Sequence, residues 1–274
     1  MARRIDHLVV AVRDLDAGAD LYRRLGFQVG ARNRHPWGTE NRLVQFASSF
    51  VELITVGDDA AAIPAHGPRA FSFGAFLRDA LEAREGLAML VLDSADAKAD
   101  AERFAAAGIG DFEPFFFERT GRRPDGSEAR VAFTLAFAVD EAAPDAGFFV
   151  CQQHVPENFW NPAFQNHPNG ATNIAAATLS TPRPAAHEAF LSAFTGERGQ
   201  SGNGLVFPLQ GGRIEVREAS STAPRFSSFA VAVPNIEEQA ARLSEAAIPF
   251  EARDGGLVVP PNAAYGVALR FEPT

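Results

Sequence analysis

The chain opens on a short apolar run, Ile5 to Val12, broken by the polar pair Arg13-Asp14. The period then changes. Leu15, Ala19, Tyr22 and Leu25 recur at three- and four-residue spacing, which predicts one buried face of a helix. Asp14 suits its N-cap and Gly26 its stop, because a short side-chain oxygen satisfies the first free N–H groups and glycine tolerates the turn that ends a helix. Three strands are predicted next, at Phe27 to Arg32, Asn41 to Ala47 and Phe50 to Val56, with a hairpin at Ser48-Ser49. The first unit therefore reads strand, helix, strand, strand, strand.

That order returns three times. A second unit runs through Leu87 to Leu92, a helix at Ala95 to Ala107, and strands at Phe112 to Glu118, Ala129 to Val139 and Phe148 to Gln153. Aligning Asp16-Ala17 with Asp96-Ala97 makes the repeat about 80 residues long. A third unit opens at Ala171 to Leu179, continues through a helix at Pro184 to Phe194, and turns at Gly202-Asn203-Gly204 into two strands. The fourth begins at Phe226 to Val233 and closes at Val267 to Phe271. The segment Gly57 to Glu85 reads as a connection with a short helix at Gly74 to Ala83. His154 to Gly170 reads as a domain boundary. The expected organisation is α+β: residues 1–153 as one domain, 154–170 as an interdomain segment, and 171–274 as a second domain.

Composition narrows the class. Of 274 residues 46% are hydrophobic, enough to build real cores, and 24 of the aromatics are Phe. A Phe-rich interior suits ordinary packing and equally a dry cavity for an apolar ligand. The formal net charge of −9 argues against nucleic-acid binding and against adhesion to anionic membranes. Arg119, Arg122 and Arg123 sit among Gly, Pro and Asp and read as a solvated loop. A single cysteine, Cys151, excludes an intramolecular disulfide and reads as a small buried apolar residue; no signal-like or membrane-spanning run is evident. A cytoplasmic protein is expected.

His7 on the opening strand, Leu25-Gly26-Phe27 at the helix end and Phe50-Val51-Glu52-Leu53 on the fourth strand resemble the vicinal oxygen chelate superfamily, which includes glyoxalase I, extradiol dioxygenases and methylmalonyl-CoA epimerase. More narrowly, His35-Pro36-Trp37-Gly38-Thr39-Glu40-Asn41, Cys151-Gln152-Gln153-His154 with Pro156, Glu157 and Trp160, and His167-Pro168-Asn169-Gly170-Ala171 resemble its glyoxalase-like family. The resemblance implies four βαβββ modules forming two cup-shaped domains, with modules one and two sharing one cup and modules three and four the other.

It also implies a metal site. In the superfamily the ligands stand on the first and fourth strands of a module, where this chain has His7 and Glu52; Gln152 or Gln153, with Gln153 preferred, would complete the set from across the cup. Such donors suit a divalent Fe, Mn, Zn or Ni ion. The repeat alignment puts Leu87, Asn173 and Ser228 at the place of His7, and Glu215 at that of Glu52, so the N-terminal cup is the candidate for chemistry. Glu52 and His35 are the candidate acid–base groups. Asn41, His154, His167 and Asn169 are the candidate substrate contacts, since imidazoles and amides can move a proton or fix a carbonyl. His66 and His187 carry no such expectation.

Two functions compete. One is a metal-dependent lyase, isomerase or dioxygenase acting on a small molecule with vicinal oxygens or an enolisable carbonyl. The other is a metal-free protein that sequesters a small molecule in the same cup. The polar group around His35 favours the first, and the missing partner for His7 favours the second. A homodimer is a further expectation.

Overall fold

The computed structural model describes residues 3–58, 63–122, 126–220 and 223–274. Arg123 and part of the first connection lie outside them. The first unit is β1 (Ile5–Ala11), α1 (Leu15–Arg24), β2 (Asn33–Arg34), β3 (Thr39–Gln45) and β4 (Phe50–Val56). After α2 (Phe73–Ala83) the second is β5 (Gly86–Asp93), α3 (Ala97–Ala106), β6 (Phe115–Arg122), β7 (Glu128–Ala138) and β8 (Gly147–Gln153). A short α4 (Pro156–Phe159) leads to β9 (Asn173–Thr181), α5 (Glu188–Thr195), β10 (Gln200–Gly202), β11 (Gly204–Leu209) and β12 (Gly212–Glu218). The last unit is β13 (Arg225–Val233), α6 (Ile236–Glu245), β14 (Glu251–Arg253), β15 (Gly256–Val259) and β16 (Ala268–Pro273).

These units pair into two eight-stranded sheets, β2-β3-β4-β1-β5-β8-β7-β6 and β10-β11-β12-β9-β13-β16-β15-β14. In each the two opening strands run antiparallel at the centre, and each closing strand lies parallel to its own opening strand. Among the described residues no pairing joins β2 to β6 or β10 to β14. The expected cups are therefore half-barrels, each with an open seam.

Strand alternation decides what each face buries. Leu8 and Val10 of β1 enter a core built from the helix-bearing faces of both sheets, while Val9 and Ala11 face the concave side of the N-terminal sheet. The shared core is aromatic. Phe148 packs on Phe190, Phe194 and Phe226, Phe27 stacks on Phe271, and Phe104 meets Phe194. Each such ring stabilises by roughly 1.5–3 kcal/mol when buried, so the two halves hold each other through one continuous core. His187 is part of that joint. It is fully buried, with Nδ1 2.6 Å from Asp140 of the N-terminal half and Nε2 2.9 Å from Thr181.

The register shows the internal symmetry and corrects the repeat alignment. Both central strand pairs carry a bulge at each end, which leaves Asp6 as the extra residue of β1. Met89 and Val91 sit opposite Gly147 and Phe149 as His7 and Val9 sit opposite Phe50 and Glu52. The counterpart of His7 in the second unit is thus Met89, and Leu87 points into the shared core instead. In the third unit it is Ala176 rather than Asn173, and in the fourth it is Ser228 as expected. The residues preceding the helices, Asp14, Asp96, Arg183 and Asn235, each follow these positions by seven residues. The error came from matching Asp96, a helix cap, with Asp16. Asp14 is the cap, and Asp16 instead pairs with Arg32 and Arg42 on the surface. Among the described residues no helix is long and apolar enough to cross a membrane.

Candidate functional site

The concave face of the N-terminal sheet encloses a cavity of about 50 Å³. Alternation turns Phe117 of β6, Phe133 and Leu135 of β7, and Phe149 and Cys151 of β8 onto its wall. His7 of β1 and Phe50 and Glu52 of β4 meet them from the other side, and Phe73 at the start of α2 covers them. Most of the wall is aromatic. His7 stacks on Phe50 at 4.3 Å between ring centroids, and His35 stacks on Trp37 at 4.5 Å. A second cavity of about 360 Å³ adjoins the first and shares Leu43, Arg119 and Phe159 with it. This outer cavity is termed the vestibule.

One polar chain crosses this apolar wall. Arg119 Nη1 donates to Asn33 Oδ1 at 3.4 Å, and Asn33 Nδ2 donates to Asn41 Oδ1 at 3.2 Å. Asn41 Nδ2 donates to Glu52 Oε1 in a short hydrogen bond and lies 3.4 Å from His35 Nε2. His35 Nδ1 then reaches Thr39 Oγ1 at 2.8 Å. An amide N–H facing Nε2 leaves the ring proton on Nδ1, directed at the threonine. Burial pushes the His35 pKa down to about 3, helped by the positive charge of Arg119 and by His7, so this histidine is neutral at physiological pH. Burial pushes the Glu52 carboxyl up, against the opposing influence of His7, the Asn41 hydrogen bond and Arg119. Burial thus disfavours the charged forms of both His35 and Glu52.

His7 is held by its neighbour. Its Nδ1 lies 2.7 Å from Asp6 Oδ1, and the other oxygen of Asp6 accepts from Gln153 Nε2 at 2.9 Å. The bulge that makes Asp6 the extra residue of β1 puts this carboxylate beside the ring and leaves Nε2 for the cavity. Of the two glutamines, Gln152 turns outward and caps α3 through Ala97 N and Ala95 O. Gln153 follows the inward series of Phe149 and Cys151, but its Nε2 donates to Asp6, its Oε1 is buried without a hydrogen-bond partner among the described residues, and the residue is not on the cavity wall.

The other sequence candidates stand elsewhere. His154 Nε2 is 2.7 Å from Thr134 Oγ1, on the face of β7 opposite Phe133 and Leu135, and its ring lies against the exposed Phe116. His167 is a clamp: Nδ1 accepts from Gln28 N at 3.0 Å and Nε2 donates to Gln45 O at 3.0 Å. Asn169 accepts from Ala171 N and donates to Leu25 O. Its backbone N–H bonds Gly26 O, and a side chain at Gly26 would collide with it at 2.8 Å, so the glycine at φ +93° lets this segment dock. Cys151 is buried in the wall, and burial holds its thiol well above the ordinary range, which removes it as a nucleophile at neutral pH.

Arg119 is the residue that sequence reasoning missed. The Gly, Pro and Asp that follow it mark the turn of a long hairpin, and β6 continues through Arg119 to Arg122 instead of ending at Glu118. The signal was present as the two-residue period Phe115, Phe117, Arg119, with Phe117 and Arg119 both on the cavity wall.

The positions that carry metal ligands in the superfamily pattern can now be read off the register. They hold His7, Glu52, Met89 and Phe149 in this half-barrel. Only the first two are donors suited to a divalent iron, manganese, zinc or nickel ion. Among the described residues no group of three or more His, Cys, Asp or Glu side chains converges. With Met89 and Phe149 at the other two positions and Gln153 off the cavity wall, the donor set does not fit a resident ion.

Paired βαβββ units around an inward-facing aromatic site define a protein of the vicinal oxygen chelate superfamily. The model of the glyoxalase-like domain matches residues 5–195, and the chain belongs to that family. No curated protein sequence matches it significantly. Among solved structures it is similar to a hypothetical protein from Staphylococcus aureus, at 13% identity and a TM-score of 0.69, over 99% of this chain and 100% of that one. A mutant 4-hydroxymandelate synthase from Streptomyces coelicolor follows at 12% identity and 0.61, over 99% and 92%. A xylose isomerase-like TIM barrel/4-hydroxyphenylpyruvate dioxygenase fusion protein follows at 13% and 0.59, with 100% of this chain spanning 49% of that one. At such identities the likeness is one of fold.

Proposed function

We propose that the N-terminal half-barrel binds a small, largely apolar molecule without a resident metal. The observation that carries this reading is that two of the four ligand positions hold Met89 and Phe149, neither a donor for such an ion, with Phe149 forming part of an aromatic wall. Glu52 supports it further, because its carboxyl is biased toward the neutral form and already hydrogen-bonded by Asn41. On this reading Trp37, Phe117 and Phe149 supply apolar contact, and His35, Asn41 and Glu52 orient the polar end of the ligand. An inner space of 50 Å³ admits only a small group, so the rest of the molecule occupies the vestibule.

The chain has two tryptophans, Trp37 on the cavity wall and Trp160. A Trp160→Phe variant, treated with chelator and titrated with single-ring aromatic compounds, should show saturable quenching of Trp37. Binding that appears only after iron, manganese or zinc is restored would support the metal-dependent reading instead.

The Asp6–His7 pair favours a second reading in which the bound molecule also reacts. A carboxylate on Nδ1 fixes the imidazole and leaves Nε2 as an acid or base toward the cavity. An enolisable carbonyl compound would then exchange its α-proton in D₂O in the presence of the metal-free protein, and His7→Gln would abolish the exchange. Exchange no faster than in buffer contradicts it.

A further inference from the structure

Resting on the binding reading above, we infer that Arg119 is the anion-binding group of this cavity and that the ligand is a small organic acid, an aryl or branched-alkyl monocarboxylate. Its carboxylate sits at the junction of inner cavity and vestibule, and its apolar body lies against the Phe and Trp side chains.

The argument starts from unmet hydrogen bonding. Buried polar groups in folded proteins are nearly always partnered, because an unpaired donor forfeits its water without compensation. Among the described residues, two buried side-chain atoms on this wall have no partner, Arg119 Nε and Trp37 Nε1, and both are donors. A ligand that satisfies them must present acceptors. Arg119 also makes no ion pair among the described residues, its one hydrogen bond being the long one to Asn33. Its guanidinium remains charged even though burial draws its pKa down. A charge partly removed from water without a counter-ion is costly, and Glu52 answers it only from a distance.

Location supports the same class of ligand. Arg119 lines both the inner cavity and the vestibule, so an anion on its Nε edge is reachable from outside while a hydrophobic group passes inward. The planar fork of a guanidinium matches a carboxylate through two parallel N–H donors. The C-terminal half supplies the internal control. Arg213, Arg217 and Arg270 on its concave face are all answered by Glu215 or Glu272 within 2.6–3.3 Å. Arg270 has an unpartnered Nε too, but its two terminal nitrogens are paired. On that face the fold provides the carboxylates itself. At Arg119 it does not.

The test uses the full-length, chelator-treated chain, titrated calorimetrically with 3-phenylpropionate and with its neutral isostere 3-phenylpropionamide. A charge-assisted pair in a partly dry site predicts that the acid binds about tenfold tighter or more. Raising the salt concentration should weaken the acid and leave the amide unchanged. Arg119→Gln should erase the preference, bringing acid and amide within about threefold, while Arg119→Lys should keep part of it. Melting temperature and circular dichroism establish that each variant is folded, and the lysine variant alone keeps the test decisive if the glutamine variant is not. Equal binding of acid and amide to the wild-type chain overturns the inference and leaves the apolar pocket standing. A preference that survives Arg119→Gln overturns the assignment to Arg119. Failure of both compounds to bind overturns the binding reading along with it.

Discussion

Glu52 and Glu215 occupy the same place in the two halves, on the closing strand of a βαβββ unit, opposite Val9 and Thr178. Both are buried. Their surroundings drive them in opposite directions. Glu52 sits among aromatic side chains with one amide hydrogen bond, and burial raises its pKa. Burial acts on Glu215 in the same sense, but hydrogen bonds and charges from Arg270 and Arg213 overcome it and bring the pKa down to about 2. The cause can be read position by position. Arg213 and Arg270 stand where the N-terminal half has Phe50 and Phe149. Two aromatic positions become two arginines, and an aromatic cavity becomes an ion cluster in an open groove of about 760 Å³. Duplication preserved the frame and let one half specialise in a dry site while the other used the same carboxylate for structure.

That contrast can be broken most sharply at the glutamates themselves. Glu215→Ala should destabilise the chain by about 2–3 kcal/mol, because it leaves Arg213 and Arg270 to share Glu272 alone and takes the carboxylate from Arg217. Chemical denaturation reads this directly. Glu52→Gln should leave stability unchanged or raise it, since a carboxyl whose folded pKa is raised destabilises the native state at neutral pH. Equal losses at the two positions would erase the distinction.

His35→Ala comes next, at about 1–2 kcal/mol, since it removes the Trp37 stack and the Thr39 hydrogen bond. Ligand affinity should fall with it.

Acid sharpens the comparison further. Glu215 has its folded pKa depressed to about 2, well below the ordinary glutamate value. Its contribution is therefore present above the unfolded value and is lost as pH falls through that window. The wild-type chain should lose stability across that range, and Glu215→Gln should flatten the loss. The smallest effect belongs to His154→Ala. With its partner on the outer face of β7, this change should cost under about 1 kcal/mol and leave ligand affinity unaltered.

Periodicity made the βαβββ order legible, because helix and strand spacing alternate in the chain as they do in space. Single-residue equivalences were harder. A β-bulge inserts one residue without any compositional mark; matching Asp16 with Asp96 displaced the second unit by two, so Leu87 stood in for Met89, and in the third unit Asn173 stood in for Ala176, three residues away. His7, His35, Asn41 and Glu52 meet at one cavity because they lie on paired strands with inward phase. His154, His167 and Asn169 cannot be sorted from them by sequence. Whether a histidine binds a ligand or clamps two backbone groups depends on the partners that tertiary structure brings. Arg119 was concealed by the turn residues after it, and His187 by the helical position that hides a joint between the halves.

The central claim is that one half-barrel takes a single small molecule without a metal while the other takes none. Calorimetric titration of the chelator-treated chain with 3-phenylpropionate measures this most directly. The account predicts one site per chain, with the same affinity after manganese, iron or zinc is restored. Two sites per chain, or binding only in the presence of added metal, would contradict it.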